Sequence, residues 1–197
     1  MERAIRFMAP VNNKTADRLF KSVDELITKG TSHIHLLLST PGGSVFHGLS
    51  LHNYLKGIPV PVSTYNFGSV DSIGVVIYCA GANRYVVPHS RFLIHSVKLN
   101  LKGGLSVDEK QIDEYLKSVK IDQHNIARVM SDTTGRSVES LESDMVNRTT
   151  LSPEQAVQYG LAHEIRQELI KPGMEMITIG EPVDGDKYQP RGVRFGK

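Results

Sequence analysis

Cysteine is nearly missing from this 197-residue chain, where Cys79 stands alone. One thiol excludes an internal disulfide framework and suits a reducing compartment. It lies in Val75-Val76-Ile77-Tyr78-Cys79-Ala80, which reads as the surroundings of a buried structural thiol rather than of a nucleophile. Long apolar runs are missing too. The longest, near Ile73 to Ala82, is far too short to span a bilayer, and the opening Met1-Glu2-Arg3-Ala4-Ile5-Arg6-Phe7 puts charges where a signal peptide carries its apolar core. Nor does charge of one sign dominate: 23 Lys and Arg face 21 Asp and Glu, a net of +2, with no basic block. That balance points to neither nucleic acid nor a membrane as partner. These absences together set the expectation of a cytoplasmic protein.

What is present suffices for one domain with a proper core, since 40% of the residues are apolar and composition is unbiased. The pattern predicts a strand at Ala4 to Met8, then a helix capped by Asn13, with Ala16, Leu19, Phe20, Val23, Leu26 and Ile27 on one face and Gly30 as its stop. His33 to Leu38 reads as a strand running into the turn Pro41-Gly42-Gly43, followed by a helix from Val45 to Lys56 and a strand from Val60 to Asn66. Two further strands, Arg84 to Val87 and Arg91 to His95, are broken by Pro88. Strands alternating with helices argue for an α/β fold with crossover connections.

After a flexible connection at Asn100 to Gly104, Ser106 and Glu109 have capping-box spacing. They open the longest predicted helix, Val107 to Met130, whose seam of Ile112, Leu116, Val119, Ile126 and Met130 suits a subunit contact. A helix from Val138 to Val146 follows. Ser152-Pro153-Glu154-Gln155 then supplies a cap, a first-turn proline and a capping-box glutamine for a short helix ending at Gly160. Glycines and prolines from Lys171 onward divide the chain into a domain of residues 1–170 and a tail of 171–197, with at most one strand, Glu175 to Ile179. His33 and His35 share a strand face, but no acid or third histidine at a telling distance completes a metal site. No metal or other cofactor is expected.

The stretch Asn66 to Gly74 is the candidate centre of the chemistry. A β-branched run precedes it and a small apolar segment follows, so Ser72 falls where a strand becomes a helix. The first amides of that helix lack partners within it, and they favour negative charge beside Ser72. Ser72, Asp71 or Ser69 acting only as a helix cap is the plainer alternative. Two glycine amides after one strand, a serine at a helix start after the next and His95 at the end of a later strand are the parts of a serine hydrolase.

Those parts, in that order, resemble the proteolytic subunit of the ATP-dependent Clp protease. The family's Ser-Pro-Gly-Gly turn corresponds to Ser39-Thr40-Pro41-Gly42-Gly43, its Gly-x-Ala-Ala-Ser-Met-Gly to Gly68 through Gly74, and its Met-Ile-His to Leu93-Ile94-His95. Thr134-Gly135-Arg136-Ser137, Leu151-Ser152, Ala156-Val157 and Tyr159-Gly160-Leu161 continue the match to about Ile165. The resemblance implies a crotonase-like α/β fold of repeated β-β-α units, with the long helix as a protruding handle between stacked homo-oligomeric rings. It also implies a serine endopeptidase acting on unfolded polypeptides or peptides inside the ring chamber. Ser72 becomes nucleophile, His95 general base, and the amides of Gly43 and Ile73 the oxyanion hole.

Three departures accompany the likeness. Arg148 stands at the family's catalytic acid, and a guanidinium accepts no hydrogen bond from an imidazole. Asn147 and Asp144 are the candidate substitutes. Asp71 precedes the serine where the family has a small residue, and the N-terminal segment that forms the family's axial gate is short. The latter bears on docking to an AAA+ unfoldase, the further partner the resemblance implies. The alternatives are a catalytically impaired structural or regulatory ring subunit, a phage-type maturation protease relative and, last, a crotonase-type acyl-CoA enzyme.

Overall fold

Apolar strands make the frame. In the computed structural model, which describes residues 1–99, 103 and 106–180, β1 (Glu2–Met8) and β2 (His33–Thr40) pair in parallel. Ile5, Phe7, Ile34, Leu36 and Leu38 have no exposed surface, and each such side chain contributes about 2 kcal/mol by leaving water. The crossover between them is α1 (Asn13–Thr28), which lays Ala16, Leu19, Val23 and Leu26 on the sheet. Its cap is Asn12 rather than Asn13. The Asn12 side chain accepts from the Thr15 amide at 3.0 Å while the Thr15 hydroxyl accepts from the Asn12 amide at 3.0 Å, a reciprocal box that Asn13, already inside the helix, is not placed to make.

The chain continues through α2 (Val45–Gly57), β3 (Val62–Asp71), α3 (Ile73–Tyr78), β4 (Asn83–Val86) and β5 (Arg91–Leu93). The second half holds α4 (Glu109–Thr134), α5 (Val138–Val146), β6 (Thr150–Leu151), α6 (Pro153–Gln158), β7 (Glu164–Ile165) and β8 (Met176–Gly180). The described strands form one eight-stranded sheet in the order β6-β5-β3-β2-β1-β8, with β4 beside β3 and β7 beside β4. All pairs are parallel except β5 with β6. Strand β3 serves two neighbours on one side: its residues 63–66 pair with β4 and its residues 69–71 with β5. That division carries the C-terminal end of β3 away from β4 and toward the segment bearing His95.

Two expectations shift. The box at the start of α4 is formed by Asp108 and Gln111, not by Ser106 and Glu109: the Asp108 carboxylate accepts from the Gln111 amide and the Gln111 carbonyl from the Asp108 amide, each at 2.9 Å. Only the latter half of the α4 seam is core. Ile126, Ala127 and Met130 are buried, whereas Ile112, Leu116 and Ile121 are about half exposed at 53, 49 and 60%. With 26 residues α4 is about 39 Å long, and its first turns stand away from the domain. The strand expected near Glu175 to Ile179 forms one residue later as β8, with Ile179 fully buried against the sheet. Residues 181–197 and most of the connection at Asn100 to Gly104 lie outside the described residues.

Candidate active site

Ser72 sits at the junction of β3 and α3 with φ 57° and ψ −129°, a conformation L-residues rarely take. Its amide donates to the Leu93 carbonyl at 2.8 Å, extending the β3–β5 ladder by one residue. The hydroxyl makes no cap to α3. Capping by its neighbours is excluded as well, because the Ser69 hydroxyl donates to Asp71 at 2.6 Å and Arg91 holds the other carboxylate oxygen at 3.0 Å. Asp71, whose side chain is 12% exposed, is therefore neutralised by Arg91. Twenty residues separate that pair, and no local spacing announces it.

The glycine turn reaches the serine by way of an irregularity in β2. Its register with β3 shifts between Leu38 and Thr40, and such a bulge re-aims the chain beyond it. Gly42, at φ 85°, then lies so close that a Cβ there would stand 2.6 Å from the Ser72 Cβ and 2.8 Å from the Asp71 carbonyl oxygen. Gly43 is clamped by Val11, whose amide donates to the Gly42 carbonyl at 2.7 Å and whose carbonyl accepts from Ser44 at 2.8 Å. A Cβ on Gly43 would meet the Val11 oxygen at 2.2 Å, so only glycine fits. Both bonds of this bridge use the groups flanking Gly43, which leaves its own N–H directed away from Val11. Neither that N–H nor the Ile73 N–H, the first of α3, has an acceptor among the described residues. Both belong to a cleft of 290 Å³ that also contains Ser72 and His95. Val45, Val75, Ile94, Val97, Ile126 and Met130 make much of its wall apolar.

His95 lies two residues past β5 and is half-buried. The strand-like path continues there: Ile94 donates to the Thr149 carbonyl at 2.8 Å and Ser96 to the Met145 carbonyl at 2.9 Å. These bonds set the segment from α5 to β6, with Asn147 and Arg148, beside His95. Among the described residues no side chain of that segment hydrogen-bonds to the imidazole. Asp144 accepts from Tyr159 at 2.5 Å and lies 3.6 Å from Arg136; burial and that carboxylate push the Tyr159 phenol far up, fixing it as a donor. Asn147 is exposed and its amide turns to Ser143 at 3.4 Å. Arg148 is exposed and has φ 55°; its amide donates to the Met145 carbonyl at 3.3 Å, while its side chain makes no hydrogen bond or ion pair among the described residues. Instead the His95 Nδ1 stands 2.7 Å from the Ser96 carbonyl oxygen. A backbone carbonyl acceptor has no signature in a sequence, so no reading of residue types would have found it.

The structure thus brings Ser72, His95, Gly43 and Ile73 into one cleft and leaves Asn147 and Asp144 engaged elsewhere. Strained serine, imidazole, two unpaired amides and an apolar wall are suited to acyl transfer. Other reactive candidates recede. Cys79 is buried in the core, and burial pushes its thiol up to about 11. His33 and His35 bond to Ser63 and Tyr65, and no cluster of three or more metal-binding side chains exists among the described residues. Nor, among them, is any helix long and apolar enough to cross a membrane.

Comparison with known proteins identifies relatives of the whole domain. The profile of the Clp protease family matches residues 1–168. The chain is 31% identical over 165 residues to the ATP-dependent Clp protease proteolytic subunit of Bdellovibrio bacteriovorus, spanning 82% of this chain and 76% of that one. It is 29% identical over 168 residues to proteolytic subunit 2 of Pseudomonas aeruginosa, spanning 83% and 82%. A solved ClpP1 mutant from Listeria monocytogenes superposes with a TM-score of 0.76 at 26% identity, covering 84% of this chain and 92% of its own. Sequence and fold converge, and the chain belongs to the Clp protease family.

Proposed function

We propose that this chain is a serine endopeptidase that cleaves unfolded polypeptides or peptides within an oligomeric chamber. In this reading the Ser72 hydroxyl attacks the scissile carbonyl carbon and its proton passes to the His95 Nε2. The carbonyl oxygen, now negative, is held by the amides of Gly43 and Ile73, and His95 returns the proton to the departing amine. Water repeats the sequence on the acyl-enzyme. The apolar wall of Val75, Val97, Ile126 and Met130 takes an uncharged substrate side chain. One observation carries the reading: a serine in a strained left-handed conformation shares a cleft with His95 and two unpaired amides. Such strain persists only where surrounding structure enforces it, and it concentrates at functional sites.

The half-exposed residues of α4 supply the surface for stacking rings of this chain, and an AAA+ unfoldase is the partner that would feed the chamber. A cytoplasmic setting suits the single buried thiol. A second reading, a ring subunit with impaired catalysis, is favoured by Arg148, since losing the third member of a triad costs about 10⁴ in kcat, or roughly 5 kcal/mol of barrier.

The test is covalent labelling. A fluorophosphonate is applied to the assembled protein and to Ser72→Ala, and adducts are mapped by mass spectrometry. Labelling on Ser72 that disappears with His95→Ala is expected. Assembled protein that remains unlabelled would overturn the peptidase reading and leave the impaired subunit.

A further inference from the structure

We infer that the third member of the site is the main-chain carbonyl of Ser96, which acts as the positioning group that a carboxylate supplies in other triads. This rests on the peptidase reading for its consequence, but its geometry stands independently. The contact is 2.7 Å between the His95 Nδ1 and the Ser96 oxygen. A carbonyl oxygen only accepts, so the hydrogen of this bond resides on Nδ1. In the neutral ring Nε2 then keeps its lone pair, which is the form required of a base toward Ser72. When an acid of a serine triad becomes an amide, most of the loss in rate comes from the wrong tautomer. The carbonyl escapes that fault because it cannot donate.

The group is also held in place. Ile94 donates to the Thr149 carbonyl just before β6 and Ser96 to the Met145 carbonyl in the last turn of α5, at 2.8 and 2.9 Å, which fixes the peptide on both sides of His95. No backbone N–H among the described residues donates to the Ser96 oxygen, so its acceptor capacity is directed to the imidazole. Around it the charged groups are Lys98, which lines the same cleft, Arg148 on the adjoining segment, and Asp144, committed to Tyr159 and Arg136. No carboxylate hydrogen-bonds to His95 among the described residues. The imidazolium formed during attack is therefore stabilised by a peptide dipole rather than by a full charge. The consequence is a base in the correct tautomer with weaker support for its charged form, and hence a slower enzyme than one bearing an acid.

Replacing the peptide bond between Ser96 and Val97 by an ester tests this, using the α-hydroxy analogue of valine incorporated at position 97 of the full chain. An ester carbonyl is a poorer acceptor, and the lost N–H of Val97 donates to nothing among the described residues. Two readouts are taken. In selectively ¹⁵N-histidine-labelled protein, with His95 assigned by its absence in His95→Gln, the native ring is expected as the Nδ1–H tautomer, and the ester is expected to shift it toward a mixture. This measurement requires no activity, so failure of the peptidase reading leaves it interpretable. On an unstructured peptide substrate the ester is expected to lower kcat/KM by about threefold to tenfold, the range of one ordinary hydrogen bond. A native His95 in the Nε2–H tautomer, or an ester whose tautomer and kcat/KM equal those of the amide, would overturn the inference.

Discussion

Position 148 combines a long cationic side chain with a positive φ. Arg148 takes a left-handed backbone, a conformation that costs a residue with a Cβ about 1 kcal/mol or more and is tolerated best by Gly, Asn and Asp. Its exposed side chain offsets none of this through a hydrogen bond or ion pair among the described residues. Arg148→Asp should therefore leave the melting temperature unchanged or slightly raised. If the peptidase reading holds, it should also increase the rate of fluorophosphonate labelling at Ser72 by tenfold or more, since an anion beside His95 stabilises the imidazolium better than a peptide dipole does. Stopped labelling at intervals measures this. An unchanged rate would mean that a side chain at 148 does not reach the imidazole.

Helices α2 and α3 pack directly behind the serine, and the contact between them carries a titratable group. His52 on α2 is 8% exposed, and its Nδ1 donates to the Val76 carbonyl of α3 at 2.8 Å. Burial holds its pKa below the usual value despite that bond. The unfolded chain takes up a proton near pH 6.5, where the folded chain still resists it. Stability from His52 is thus fully present above about pH 6.5 and is lost as the solution is acidified toward the lower folded pKa. His35 and His163 act in the same direction, mainly through burial. The urea midpoint should fall between pH 7.5 and 5.5, and His52→Gln should flatten that fall while lowering the midpoint at pH 7.5. A variant with the native pH slope would exclude His52 as a contributor.

At the scale of the whole molecule, α4 presents apolar surface that this domain does not cover. Ile112, Leu116 and Ile121 stand on its outer turns, beyond the buried Ile126 and Met130. Burying each against another copy is worth about 1.5 to 3 kcal/mol. Ile112→Asp with Leu116→Asp is expected to reduce the assembly to smaller species in light scattering, with circular dichroism retained because neither side chain packs into the core. An unaltered mass would remove α4 from the proposed assembly surface. The end of the chain offers a smaller lesson of the same kind, since Ile179 completes the sheet beside β1 although the residues around it read as a tail.

Much of this was present in the residues themselves. Helical spacing marked α1, capping chemistry marked α6, and an apolar run and a β-branched run marked the strands that lead to Gly43 and Ser72. These are local properties, set by side-chain periodicity and by the conformations that glycine and proline allow. What the sequence left open was long-range. The pairing of Arg91 with Asp71, the clamp of Val11 on Gly43 and the engagement of Asp144 by Tyr159 join residues far apart in the chain, and only packing decides them. The acceptor at His95 was hidden for a different reason: it belongs to the main chain, which every residue shares, and only the course of the backbone past β5 turns it toward the imidazole.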